Sequence, residues 1–533
     1  MKAVRFLLHR AIAGVLLAPL SWTSWGQYEV SSWRDHYPFG EAKQVMVAGD
    51  VVVGRTDFAL FAIDTATYEM QRWVKGNPLS QSNPSSMAYD TVRDQVVVGY
   101  DDGGLDVKTP AGVVGIPDLR IAQQPGSKRV QAIEVIEDVA YLCTAFGVVL
   151  LDLERLEIRD TWSITPIDSP ASVRSILRHE GQWLVGTDQG MFAAPVSSQF
   201  LANPQLWEAW DGSPDLGAVL ELVRFGDAWW MATGSETGND VVVWKGLDDG
   251  FWEVAEGWPS EGDTYGGMAV GNWILNDTLG RSPGLIVSSC CLALGYDGAG
   301  NATAIPHPLP PWAIVKDLAI FEEGKAWLAS SRGGVVMWVP DPDANSPGDR
   351  PNKPAGPPTS RVRRLDCWND NLWVATGAVD AAWTPLYRKD GLFGFSGQTW
   401  TEPELPEGSN EFVGIQDILD VSIDPTNPSH VVFSSYEEGL VELLDGEVVR
   451  ILNDENSSLS LTSVAGTPRP AVSGLDFDVA GNLWFTNPKV GTPLHVMLPD
   501  GTTRAMDLGS AGQNLLLGDV EVTRDGYVWV VIP

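Results

Sequence analysis

One hydrophobic–polar phrase recurs along the chain: two or three β-forming residues, a small residue, a polar turn, a glycine, and a second apolar run. It reads Val96-Val97-Val98-Gly99-Tyr100-Asp101-Asp102-Gly103-Gly104-Leu105 in one copy and Trp183-Leu184-Val185-Gly186-Thr187-Asp188-Gln189-Gly190-Met191 in another. Short apolar runs bounded by Gly and Asp are the pattern of strand, turn and returning strand. Aligned on the small residue, the copies fall at Gly54, Gly99, Cys143, Gly186, Ala232, Ser288, Ala329, Ala375, Ser434 and Thr486, with a last one at Val531. The steps are 45, 44, 43, 46, 56, 41, 46, 59, 52 and 45 residues. A four-stranded propeller blade takes roughly 40 to 50 residues, so the pattern predicts an all-β chain of propeller blades.

The seven positions from Gly54 to Ala329 predict a seven-bladed β-propeller over residues 28–339. A Pro-rich stretch follows, and proline at that density reads as an extended linker over 340–360. The phrase resumes at Leu372-Trp373-Val374-Ala375, so residues 361–533 read as a second, incomplete β-propeller. An open ring would leave an apolar face and an unpaired edge in water, so the expectation is a record cut short of a longer protein. Many of the 23 Trp precede a register position by one to three residues, as Trp183, Trp229, Trp230, Trp327, Trp373, Trp484 and Trp529 do, which reads as packing between blades.

The ends and the charge narrow the setting. Lys2, Arg5 and Arg10, the apolar run 11–20 and the small residues Ser24 and Gly26 have the layout of a cleaved export signal over residues 1–26. The apolar run is shorter than the roughly 20 residues that span a bilayer, and no later stretch reaches that length. Losing those three cations takes the formal charge from −34 to −37. Such a surface repels phosphate backbones and anionic membrane, which argues against nucleic-acid binding. Four cysteines are too few to staple an exported chain of 533 residues. Cys143 sits in the small-residue register and reads as a packed strand residue. Cys290 and Cys291 point to opposite faces of one predicted strand, which disfavours a bond between them; a bridge from either to Cys143 or Cys367 has no support in the sequence.

Candidate chemistry is sparse. The histidines are His9, His36, His179, His307, His430 and His495, spread along the chain. Zinc-binding, nucleophile-elbow and phosphate-loop motifs do not occur. No catalytic, cofactor or metal residue is assigned, no cofactor is expected, and the ligand-binding residues are unknown. Acidic pairs such as Asp101-Asp102 read as solvated turns before they read as glycosidase carboxylates. Asp341-x-Asp343-x-Asn345 imitates the start of a calcium loop but lacks its glycine and closing Glu. Arg361-Val362-Arg363-Arg364 is the dense basic patch beyond the leader, read either as a solubilising linker end or as a contact for an anionic ligand.

The blade phrase resembles the two-component-regulator propeller repeat, with Gly481-Asn482-Leu483-Trp484 and Asn371-Leu372-Trp373 as its best copies. Longer stretches are similar to the PorZ family of the type IX secretion system of Bacteroidetes. They are Trp33-Arg34-Asp35-His36, Met87-Ala88-Tyr89-Asp90 with Val98-Gly99-Tyr100, the run 140–153 from Ala140 to Leu153, Asp424-Pro425-Thr426-Asn427-Pro428, Ser434 to Leu440, and Asn453 to Leu459. The resemblance implies two seven-bladed propellers followed by a sorting domain. It also implies a non-catalytic role at the outer-membrane surface beside a sortase complex of PorU, PorV and PorQ-like proteins, which attaches cargo to anionic lipopolysaccharide, and binding of that lipopolysaccharide by the propeller protein itself. This sequence departs from that pattern by ending before the second ring closes and before a sorting domain.

Three functions are therefore set against one another. The first is a secreted, non-enzymatic scaffold for cargo attachment in type IX secretion. The second is the periplasmic sensor propeller of a hybrid two-component system, which needs a membrane helix and a kinase beyond these residues. The third is a carbohydrate-active propeller enzyme, which needs paired carboxylates converging on one face.

Overall fold

Every copy of the repeated phrase up to Thr486 becomes the second and third strands of an antiparallel sheet in the computed structural model of the chain, and the last becomes the second strand, Val528–Val530, of a two-stranded sheet. The structure describes residues 34–533 except 125, 167, 211–216, 227, 236–239, 247–251, 260–264, 277–279, 290–292, 307–308, 310–312, 322–324, 340–351, 378, 404–414, 514 and 533. The export signal, Cys290, Cys291, His9, His307 and the Asp341–Asn345 stretch thus lie outside the described residues. Nearly all regular structure is strand; the one α-helix among the described residues is Asp118–Ile121. Among those residues no helix is long and apolar enough to cross a membrane.

Sheets follow one another in sequence order, which short turns between antiparallel neighbours dictate. Seven of them lie between Gln44 and Trp338, with first strands Gln44–Ala48, Pro84–Asp90, Val130–Ile136, Val173–His179, Val219–Phe225, Tyr265–Asn276 and Val315–Phe321. Each first strand neighbours the first strand of the next sheet, and Val315–Phe321 returns to lie against Gln44–Ala48. The Val45 amide donates to Asp317 Oδ2 across that junction at 2.9 Å, so residues 272 apart in sequence close a ring. This is the arrangement of a β-propeller, with first strands around the axis.

The small residue has a geometric cause. In six of the seven first strands the ladder slips by one residue at the same place, between Pro84 and Ser86, Val130 and Ala132, Val173 and Ser175, Val219 and Glu221, Tyr265 and Gly267, and Val315 and Asp317. A bulge of this kind increases local twist and turns the strand toward its neighbour. The residue before the slip then lands on the small residue of the preceding sheet. A Cβ on Gly99 would lie 2.6 Å from Val130 Cβ, and one on Gly186 would lie 2.6 Å from Val219 Cγ1. Cys143, Ala232 and Ala329 fill the same register, and all three are buried.

The core lies between successive sheets. Tyr141, Trp162, Trp183 and Trp207 pack with ring centroids 4.8 to 6.0 Å apart between the third and fourth sheets, with Cys143 buried beside them. Trp229, Trp230 and Trp327 are buried likewise, Trp373 and Trp484 are half-buried, and Trp529 is exposed.

The wide step from Ala232 to Ser288 is explained by one long hairpin, Tyr265–Asn276 with Gly280–Ser289, which extends a single sheet. The wide step from Ala375 to Ser434 holds a long connection after Asn371–Ala375, in which Val379 bridges Pro385. After residue 351 the chain does not run free. Asn352 bridges Val335 on the seventh sheet, Pro354 and Pro357 are buried, and a Cβ on Gly356 would meet the Tyr37 carbonyl at 2.3 Å. Further sheets follow at 364–401, 418–452, 475–506 and 520–530, again with neighbouring first strands, and a separate hairpin lies at 462–469.

Candidate functional site

First strands in adjacent blades splay apart, and the amide groups facing the gap need acceptors. The sequence meets this need with side chains. Gln44 Oε1 accepts from Met87 N at 3.1 Å, and Glu221 accepts from the Met268 amide and, at 2.5 Å, from the Tyr265 hydroxyl. In the later sheets Asp366 Oδ2 accepts from Ile423 N at 2.6 Å, Asp420 Oδ2 from Leu475 N at 3.1 Å, and Asp476 Oδ2 from Val522 N at 2.7 Å. Together with Asp317 and Val45, these contacts clasp one blade to the next. They give the inner carboxylates a structural task that the sequence reading did not foresee.

Three inner-strand acids, Glu134, Glu221 and Asp317, sit on alternate sheets, and the charge of Glu221 is felt by the other two. Burial, and the Glu221 charge beside them, push Glu134 and Asp317 up to about 7; burial alone takes Glu221 up to about 7 against its bonds from Tyr265 and Met268. Glu134 nevertheless touches water along the ring axis. Arg55, itself lowered to about 10 by burial, spends its guanidinium on Gln44 Oε1 and the Pro84 carbonyl. No group of three or more His, Cys, Asp or Glu among the described residues has the geometry to hold a metal ion.

The histidines serve separate local roles. His430 is held between Asp424 Oδ2 at 3.1 Å and Glu442 Oε1 at 2.7 Å, which raises it, the Glu442 bond most of all. His179 packs edge-on against Trp229 at 4.0 Å. His495 Nδ1 meets Ser458 Oγ at 2.8 Å, a spacing that suits a nucleophile and its base. Its Nε2, however, is buried without a partner among the described residues, and burial lowers the ring to about 4. A base so weak, with no carboxylate to orient it, does not make a triad.

The other flagged residues are also absorbed. Asp101 pairs with Arg129 at 3.3 Å, and Asp102 caps its own turn through Gly104 N at 2.9 Å, as turn acids do. The basic patch is dispersed: Arg361 pairs with Asp390 at 2.8 Å, Arg363 lies over Trp383, and Arg364 reaches Asp420, Asp519 and Glu521 at 3.3 to 3.5 Å. Arg361 and Arg363 are engaged by the loop that carries Trp383 and Asp390, and Arg364 ties its sheet to the acids of the sheets beside it. Cys143 is buried, which pushes its thiol up, and Cys367 is exposed; both are free.

The concave site is a cavity of about 780 Å³ where the turns of the first and seventh sheets meet residues 353–361 and the sheet that follows. Ring closure brings Lys43, Phe58 and Lys316 to one wall, and the returning segment brings Lys353, Arg361 and Asp390 to the other. Lys43 is bonded to Glu41 at 2.5 Å, and Lys353 stands 3.7 Å from Glu402. Lys316 is half-buried with no carboxylate at ion-pair distance among the described residues; burial, then the charge of Lys43, lowers it. Asp390 gives Oδ1 to Arg361, whereas its Oδ2 is buried without a partner. Phe58 stacks against Tyr37 with centroids 6.4 Å apart and an interplanar angle of 16°. Sequence reasoning reached only Arg361 of this set, because the other residues stand alone in the chain and meet through ring closure.

Fold and site define a β-propeller protein with a mixed-charge cavity. Residues 54–208 match the family model of the N-terminal β-propeller domain of PorZ from the type IX secretion system, which bears out the resemblance read in the strand phrases. PorZ of Porphyromonas gingivalis, described as an essential bacterial surface component of that system, aligns over 93% of this chain with 18% identity and a TM-score of 0.70. The chain spans 63% of that protein's length. The GH74 enzyme of Niastella koreensis aligns over 90% of this chain and 74% of its own at 11% identity and a TM-score of 0.56, which shows a shared fold alone. The extracellular domain of a one component system from B. thetaiotaomicron aligns over 94% of this chain and 64% of its own at 13% identity, with a TM-score of 0.39. No curated protein sequence matches the chain.

Proposed function

We propose that this chain is the propeller portion of a PorZ-type surface component of a type IX secretion system, working as a non-catalytic scaffold. In this reading residues 1–26 are a cleaved leader, 28–339 form a complete seven-bladed ring, 340–360 link it to a second ring, and the protein acts outside the cell at the outer membrane. It supports a sortase complex of PorU, PorV and PorQ-like partners that joins cargo to anionic lipopolysaccharide. The observation that carries the reading is the match of residues 54–208 to the PorZ propeller family, since it rests on sequence and not on a fold that many functions share. Rigid rings with carboxylates committed to blade clasps suit a scaffold.

The reading is tested by purifying the tagged protein from the outer-membrane fraction of its host after mild cross-linking. Recovery of a sortase with its membrane partners is the expected result. Recovery of the protein only with inner-membrane kinase components would replace this reading with the sensor.

A further inference from the structure

We propose that the first ring docks an extended, positively charged segment of a partner protein on the face opposite the cavity. The segment adds a strand to the open edge of the sixth sheet's long hairpin and lays its basic side chains against the acids of the surrounding turns. The inference rests on this face alone and not on the secretion reading. Three observations converge on it.

First, the hairpin leaves its ring. Tyr265–Asn276 has 12 residues, whereas the other six first strands have five to seven. Aligned on the slip, the neighbours that share it end where Gly271 stands, so residues 272–276 project roughly 16 Å further at about 3.3 Å per residue. Trp273 and Ile274 are paired there with Ser282 and Arg281, and the third strand, Ala293–Tyr296, stops opposite Leu285. Among the described residues no further strand flanks either projecting arm. An open row of N–H and C=O groups is a template for another strand. Pro283 stands in the returning arm and cannot donate, which leaves the edge of residues 272–276 as the better template.

Second, apolar side chains are exposed on the same face. Antiparallel order puts the turns after the first and third strands at one end of every sheet, away from Thr56, Phe58 and Arg332 of the cavity. Of the large apolar residues exposed between Gln44 and Val339, Tyr68, Val92, Phe200, Val270 and Val339 lie at this end, and Val114 and Ile121 do not. Val92 and Phe200 are 76% and 74% exposed, so both are free to pack on a partner. Third, these turns carry an excess of acid. Arg93 and Arg178 neutralise Asp138 and Glu137, whereas the exposed Asp50, Asp94 and Glu154 meet no cation at ion-pair distance among the described residues. The features together select the occupant. Hydrocarbon would leave the open edge unsatisfied, and a second copy would set acids against acids; a basic protein strand answers both.

The test places a photoreactive residue on the hairpin of the full chain in its host, as Trp273→p-benzoylphenylalanine and separately as Val270→p-benzoylphenylalanine. Irradiation is expected to give a discrete protein adduct whose cross-linked peptide carries net positive charge. The yield should fall at least roughly tenfold in Asp50→Lys with Glu154→Lys, and likewise on raising salt from about 0.05 to about 0.5 M in isolated membranes. A synthetic copy of the cross-linked peptide should bind the purified chain, and bind at least roughly tenfold more weakly once residues 272–283 are replaced by Asn-Gly, a turn that ends the sixth sheet level with its neighbours. Thermal midpoints of all variants are measured alongside, and the Val270 label decides the question if the Trp273 label prevents folding. An adduct that meets these conditions supports the proposal whether or not the partner belongs to a secretion system. The proposal is overturned by adducts to lipid alone or to a second copy, by no protein adduct from either position, by a cross-linked peptide of net negative charge, by wild-type yield in the Asp50→Lys, Glu154→Lys chain, or by unchanged peptide affinity after the hairpin is shortened.

Discussion

Replacing Glu221 by Gln should make the protein more stable at pH 8 and leave it almost unchanged at pH 5. The carboxyl of Glu221 accepts from the Tyr265 hydroxyl and the Met268 amide, and burial raises it from 4.5 to about 7. The folded chain therefore keeps this proton to a higher pH than the unfolded chain does. Stability falls as pH rises from about 4.5 to about 7, and levels off above that, because the unfolded state ionises freely while the folded state resists. At about 1.4 kcal/mol per pH unit the full shift corresponds to roughly 3 kcal/mol. Glu221 is only half-buried and faces the ring axis, where water screens its charge, so roughly 1 to 2 kcal/mol is the expected realised penalty. Glutamine imitates the protonated acid: its oxygen keeps accepting from Tyr265 or Met268, and it places no charge beside Glu134 and Asp317. The assay is thermal unfolding of wild type and Glu221→Gln at pH 5 and pH 8. The variant's midpoint should rise relative to wild type by roughly 2 to 8 °C between the two conditions, at about 2 to 4 °C per kcal/mol. An offset that is the same at both pH values, or a variant less stable at pH 8, would refute the argument that the axis holds destabilised carboxylates.

Two further outcomes follow from the same packing. His430→Gln should cost roughly 1 to 3 kcal/mol near pH 6, read as a lowered unfolding midpoint. The deficit should shrink toward pH 9, because the raised His430 gives its full stabilisation below 6.5 and loses it as pH passes through the folded value. Glu442, which burial would raise but which the His430 and Arg450 bonds bring below 4.5, loses its own contribution at the acidic end. A deficit independent of pH between 6 and 9 would mean the imidazolium is not the stabilising form. Gly99→Val should lower the midpoint by an amount equivalent to roughly 1 to 3 kcal/mol or more, since its Cβ would meet Val130 Cβ at 2.6 Å, and an unchanged midpoint would show that the small-residue register is not steric.

The blade order was legible because it is local. Gly54, Gly99, Cys143, Gly186 and their successors mark second strands from blade to blade, and at Gly99 and Gly186 the cause is close contact with the first strand of the next blade. The sequence did not disclose the bulge that creates this contact, since a one-residue slip leaves the apolar alternation almost intact. The clasps were also hidden: Asp317 and Val45 are 272 residues apart, and an acid that accepts a neighbour's amide looks like any turn acid. Arg361, Arg363 and Arg364 formed the clearest charged cluster in the sequence, yet they end on different partners: Asp390, the Trp383 ring, and the acids Asp420, Asp519 and Glu521. The cavity was visible only through Arg361, because Lys316, Phe58 and Asp390 become neighbours when the ring closes and the segment after residue 351 folds back.

The most direct test of the scaffold account is deletion of the gene in its host, with a cargo protein followed by quantitative immunoblotting of the cell-surface and medium fractions. The account predicts that cargo leaves the surface and accumulates untrimmed and without its lipopolysaccharide modification, and that the wild-type chain restores attachment. Cargo that is still trimmed, modified and held at the surface at normal levels in the deletion strain would contradict it.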